Sequence, residues 1–132
     1  MTLDTAVSQE TQGVTAADPV QRAAELRAVL AERAPTYDRE TTFPTEDFDD
    51  LFAAGLTAAV VPVEYGGLGL GPLHGATYPL WMMTLELAKA DLSLARCWEG
   101  HVNALTLVDA LGTAEQRNRW FEGVVQLSLI HI

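Results

Sequence analysis

The sequence predicts an all-α domain of five to six helices, packed as an orthogonal or up-down bundle. Apolar residues recur at spacings of three and four through most of the chain, the mark of helices with one buried stripe. Helix-capping residues stand just before those runs, at Asp18, Asp91 and Thr113. The one β-rich stretch, LTAAVVPV (56–63), is short and broken by Pro62, so it has no partner strand for a sheet.

Residues 1–17 are small and polar without periodicity and read as a mobile tail. Asp18-Pro19 opens the first helix, with Asp as N-cap and Pro in the first turn. Ala23, Leu26, Leu30 and Ala34 form its stripe, and Pro35 is expected to kink or interrupt it. Pro44 opens a second helix, in which Phe48, Leu51 and Phe52 face inward and Glu46, Asp47, Asp49 and Asp50 outward. Gly55 ends it. LTAAVVPV then reads as an extended connection into a loop with Gly66, Gly67, Gly69 and Gly71. Beyond the loop, a helix is expected from about Pro72 to Lys89, burying Leu73, Ala76, Leu80, Met83 and Leu87. Pro79 argues for a later start or a kink there. Asp91 caps a long helix, 92–111, that Gly112 stops. Thr113 and Gln116 form a capping box for a last helix, whose buried face is Trp120, Phe121 and Val124.

Charge and composition narrow the function. With 18 acidic against 8 basic residues and a net charge of −10, the chain lacks the positive footprint that nucleic acid or an acidic membrane surface requires. No apolar run approaches the roughly 18 residues of a membrane span, and the N-terminus lacks the basic start of a secretory signal. A single cysteine, Cys97, excludes an internal disulfide, and a cytoplasmic location follows from these features.

The glycine loop reads GLGLG, not GxGxxG, and no βαβ context surrounds it, so it is a structural turn rather than a phosphate cradle. No Walker loop, GxSxG elbow, HExxH or paired Glu-x-x-His is present, and no metal site is expected. Cys97 is expected to be a small core residue and His74 a surface one. Helix 92–111 carries more information. Leu94, Trp98, His101, Leu105 and Val108 make one core stripe. An adjacent face carries Ala95, Glu99, Val102, Asn103 and Thr106, with Arg96 at its border. Polar groups on an apolar helix are either paired or face a wet cavity. Arg96 and Glu99 are thus read two ways: as an i,i+3 pair on a solvated edge, or as part of a pocket wall.

Three stretches, FPTEDFDDLFAAGLTAAVVPVEYGGLGLGP (43–72), LELAKADLSLARCWEGHVNAL (85–105) and ALGTAEQRNRWFEGVV (110–125), together resemble the N-terminal helical domain of the acyl-CoA dehydrogenase superfamily. Their order and separation carry the resemblance across residues 18–125. It implies a middle β-domain and a C-terminal four-helix bundle absent from this chain, with FAD between them. The catalytic carboxylate base would lie in the bundle, so no catalytic, cofactor-binding or metal residue is expected here. Residues 126–132 depart from the family pattern and read as a truncation artefact.

In the family this domain walls the acyl pocket, and the resemblance puts Ala95, Arg96, Glu99, Val102 and Asn103 on that wall. It implies a fragment of an FAD-dependent oxidoreductase acting on CH–CH groups: α,β-dehydrogenation of an acyl-CoA thioester, as in fatty acid metabolism. The full-length protein would be a homo-oligomer and the fragment alone inactive. Arg96 and Asn103 are too polar for a plain fatty chain, which keeps open a flavin-dependent monooxygenase of the same superfamily. A non-catalytic helical interaction module is the third reading.

Overall fold

The structure, a computed structural model, describes residues 18–126, and the expectations for 1–17 and 127–132 lie outside them. Within the described residues the chain forms five α-helices: α1 (Pro19–Glu40), α2 (Thr45–Ala53), α3 (Thr77–Ala90), α4 (Leu92–Leu111) and α5 (Ala114–Gln126). Two 3-10 turns, Val63–Tyr65 and Pro72–His74, lie between α2 and α3. The all-α class is as predicted, and Gln126 continues α5 one residue past the expected boundary.

Local chemistry sets most helix ends. The Asp18 carboxylate accepts from the Val20 N–H at 3.0 Å and the Asp91 carboxylate from Ser93 N–H at 2.9 Å. Thr113 and Gln116 close the expected capping box, with reciprocal bonds of 2.9 and 3.2 Å. At the end of α2, Gly55 (φ 75°) and Leu56 donate back to the Phe52 and Leu51 carbonyls, both at 2.9 Å. This is a Schellman stop with the buried Leu56 and Leu51 at its hydrophobic contact.

Helix α1 runs unbroken through Pro35. Pro35 and Ala31, whose carbonyl it cannot bond, are both exposed, so the freed acceptor is not sealed in the core. The expected extended connection is instead wound into turns. Ala59 donates to the Leu56 carbonyl and Val61 to that of Ala58, each at 3.2 Å, which buries Leu56, Ala59, Val60 and Val61. Helix α3 begins at Thr77, not Pro72, because Gly71 and Ala76 pair across a bridge that holds Pro72–Gly75 out in a loop. Pro79 therefore falls in the first turn, where its missing N–H costs nothing, and Leu73 is exposed rather than buried.

Helix α1 packs along α3, α3 along α4, and α4 along α5. Their shared core includes Leu30, Met83, Leu87, Leu94, Trp98, Leu105, Phe121 and Val124, with Phe48 and Leu51 from α2. Tyr65 meets Phe121 edge to face at 5.0 Å, which seats the glycine loop on α5. Trp120 is only half-buried. One acid expected to face water does not: Asp47 is fully buried, because Arg33 of α1 reaches over it, Nη1 to Oδ1 at 2.9 Å.

His101 is the buried polar group of α4, and its Nε2–H donates to the Thr57 carbonyl at 2.7 Å. Burial, partly opposed by that bond, holds its imidazole below the ordinary value of 6.5. The unfolded chain then takes up a proton that the folded one resists. Stability is full above about pH 6.5 and declines as pH falls through the window below it, each unit of depression being worth about 1.4 kcal/mol. Urea melts between pH 7.5 and 5.5 are expected to show this decline, and His101→Gln to flatten it. An unchanged slope in that variant would refute the assignment.

Candidate functional site

Helix α4 places the five residues implicated by the resemblance on two sides. Ala95 and Val102 point into the core, 3% and 4% exposed. Arg96, Glu99 and Asn103 stand outside, with the Arg96 and Glu99 side chains 72% and 49% exposed. Arg96 Nη1 donates to Glu99 Oε2 at 3.2 Å, one turn apart, so the solvated-edge pair is what the described residues display. At such exposure this pair adds little stability. Leu92, Leu107 and Leu111 flank the polar line and are 60% exposed or more. The outer side of α4 is therefore mixed, with apolar residues at both ends and polar ones in the middle. Within the described residues the five do not close around a cavity.

Thr106 continues the line of Glu99 and Asn103 at i+7 and is half-buried, its Oγ1–H donating to the Val102 carbonyl at 2.9 Å. One placement differs from expectation. Cys97 is exposed, because its position on α4, beside Leu94, faces a groove of about 800 Å³ rather than the core. That groove lies between the end of α1 and the start of α4 and is lined also by Tyr37, Asp38, Phe43 and Asp91. His74 is exposed, as expected, and it is also paired: its Nε2–H donates to Asp109 Oδ2 at 2.8 Å. Nothing in the local sequence signals that pair, since its members are separated by 35 positions.

The glycine loop can be tested as a flavin phosphate cradle. Such a cradle needs backbone N–H groups free to meet an anion. Every backbone N–H from Tyr65 to Gly71 already donates to a carbonyl of this chain, at 2.9–3.2 Å. The loop does not fit a flavin pyrophosphate and is a structural turn. Among the described residues no group of three or more His, Cys, Asp or Glu could hold a metal ion, and no helix is long and apolar enough to cross a membrane.

Five helices, a turn-forming glycine loop and one open mixed side on α4 define a helical module. The chain belongs to the acyl-CoA dehydrogenase N-terminal domain family, which matches residues 16–128. The chain is similar to L-evernosamine nitrososynthase of a Micromonospora strain, 41% identical over 52% of the chain and 15% of that protein. Dibenzothiophene monooxygenase of Mycolicibacterium goodii is 30% identical over 90% of the chain and 27% of its own length. Acryloyl-CoA reductase (NADH) of Anaerotignum propionicum is 31% identical over 73% of the chain and 22% of its own length. The chain thus spans about a quarter or less of these relatives. No solved structure matches significantly.

Proposed function

We propose that this chain is the N-terminal helical part of a flavin-dependent monooxygenase, with the outer side of α4 as one wall of the substrate pocket. The observation that carries this reading is the polar line Arg96, Glu99 and Asn103 on the outer side of α4, between exposed leucines. Covered by a neighbouring domain, those groups need hydrogen-bonding partners, since an unpaired buried polar group costs about 1–3 kcal/mol. A plain acyl chain supplies none, whereas a compact substrate with polar atoms does. The relatives named as a monooxygenase and a nitrososynthase support the same reading.

In this reading Ala95 and Val102 hold the wall to the core, and Arg96 and Asn103 contact the substrate. Glu99 orients the guanidinium of Arg96. FAD, held outside the described residues, supplies the redox chemistry. The base that dehydrogenation needs would also lie outside them. Dehydrogenation of an acyl-CoA thioester is the second reading, favoured by the similarity to acryloyl-CoA reductase over 73% of the chain.

The test uses full-length, flavin-loaded protein supplied with ¹⁸O₂ and a reductant. Incorporation of one labelled oxygen into a heteroatom-containing or aromatic substrate is expected. Reduction of an electron-accepting dye by acyl-CoA, without label in any product, would overturn the proposal in favour of dehydrogenation. In the active protein, Arg96→Ala and Asn103→Leu are each expected to lower kcat/KM about tenfold, the size of one lost substrate hydrogen bond.

A further inference from the structure

The segment after the glycine loop is built differently from everything around it. Gly71 and Ala76 pair across an antiparallel bridge, with Gly71 N–H to Ala76 O at 2.9 Å and Ala76 N–H to Gly71 O at 3.1 Å. Between them Pro72, Leu73, His74 and Gly75 stand out from the body, all exposed. Both glycines have positive φ, 101° at Gly71 and 70° at Gly75, and a side chain at Gly75 would meet nothing within 4 Å. A short loop pinched at its base, with a glycine at each end of its projecting part, can lift away about those two positions when the bridge parts, which frees the Gly71 and Ala76 amides.

What holds it down is one side-chain bond. His74 Nε2–H donates to Asp109 Oδ2 at 2.8 Å, with the two side chains 30% and 11% exposed. Beneath the loop lies a cleft without room for water, lined by Val60, Leu70, Pro72, Leu73 and Thr106 together with the pair. Asp109 follows Val102 by two turns, on the same strip of α4 and about 120° around the helix from Asn103. The loop therefore sits beside the C-terminal end of α4, at the Thr106 edge of its outer side.

We propose that Gly71–Ala76 is a hinged flap over that end of α4, and that His74 and Asp109 are its clasp. Closed, the flap covers Val60, Leu70 and the Thr106 edge. Opened, it uncovers them. The carboxylate of Asp109 fixes the imidazole as the Nε2–H tautomer, which makes the bond directional and keeps the flap in one register. His74 and Asp109 are positioning residues. That the flap limits access to substrate rests on the reading of α4 as a pocket wall; that it opens and closes does not.

Hydrogen exchange on the 132-residue chain, read at the Gly71, His74 and Ala76 amides, tests the clasp without flavin or substrate. His74→Ala and Asp109→Ala are each expected to speed exchange at those amides about tenfold or more, the effect of losing one hydrogen bond to a charged group. His74→Gln, whose amide N–H can still reach Asp109, is expected to restore most of the protection. Amides in the middle of α4 and α5 should not change. Unchanged exchange at the loop in His74→Ala would overturn the proposal. So would an equal loosening of α4 and α5, or a His74→Gln variant no better protected than His74→Ala. Failure of the oxygen-labelling test would leave this result standing, so the two readings fail separately.

Discussion

Replacing Arg33 with Ala is expected to destabilise the fold by about 3 kcal/mol at pH 7, a large share of a total that for such domains is about 5–15 kcal/mol. The reason lies beneath the arginine. Its Nη1 bonds Asp47 Oδ1 at 2.9 Å and Asp50 Oδ2 at 2.7 Å, and its Nε lies 3.3 Å from Glu46 Oε2. Glu46 and Asp50 are at least partly solvated and can turn to water. Asp47 cannot, being fully buried, and its Oδ2 has no partner among the described residues. Without Arg33 a carboxylate charge is left inside the protein with nothing opposite it.

The pH dependence follows from the same carboxyl. Burial raises the Asp47 pKa above its ordinary 3.8, and the Arg33 bond only partly offsets this. The folded state therefore holds a proton that the unfolded state has released. The contribution of Asp47 to stability is present below pH 3.8 and lost as pH rises through the raised value. Removing Arg33 removes the group that pulls the pKa back down, so the deficit of the variant relative to the parent should shrink as pH falls toward 4. Urea denaturation at pH 7 and at pH 4.5 measures both effects. Arg33→Met combined with Asp47→Leu should recover most of the loss, since burying neither charge removes the penalty. A single Arg33→Ala variant within about 0.5 kcal/mol of the parent at pH 7 would show an ordinary surface pair instead.

Asp47 also shows where sequence reasoning reached its limit. The spacing of Phe48, Leu51 and Phe52 gave the inward face of α2 correctly for Phe48 and Leu51, and the same periodicity turned Asp47 outward. A one-helix pattern cannot register that a second helix brings a cation across its edge. Signals contained within a few residues were legible: the Asp18 and Asp91 caps, the Thr113–Gln116 box, the Gly55 stop and the core stripe of α4. Features made by distant pairs were not. The Gly71–Ala76 bridge delays α3, and the His74–Asp109 bond joins a loop to a helix; neither leaves a local mark. The candidate wall was read as one face of α4, and the structure divides its five residues between two sides. The inward turn of Ala95 and Val102 and the outward stance of Arg96, Glu99 and Asn103 depend on which neighbours α4 has.

The glycine loop presents the same lesson as a stability ranking, with Gly67→Ala expected to be the most damaging of its single substitutions. In sequence the glycines at 66, 67, 69 and 71 look equivalent. Three have positive φ, at 91°, 63° and 101°, and a side chain there carries a conformational cost of about 1–2 kcal/mol. Gly67 does not, so conformation alone ranks it the most tolerant. Packing reverses the order. A Cβ on Gly67 would lie 2.1 Å from the Val61 carbonyl oxygen and 2.4 Å from Val61 Cβ. That oxygen already accepts from Gly69 N–H at 2.9 Å, and Val61 N–H donates to Ala58. Val61 therefore cannot move without breaking the bonds that wind the loop. At Gly69 the nearest atom is Cγ2 of Val63, at 2.9 Å, on a side chain that is 70% exposed and free to rotate away. At Gly66 the nearest atom is Val125 Cγ1 at an ordinary 3.5 Å. Gly67→Ala should therefore cost about 3 kcal/mol, through close approach rather than through φ. Thermal unfolding of the four alanine variants decides the matter. Equal stability of Gly67→Ala and Gly69→Ala would mean that the loop relaxes around the new methyl, and that Val61 and Gly67 are not a rigid contact.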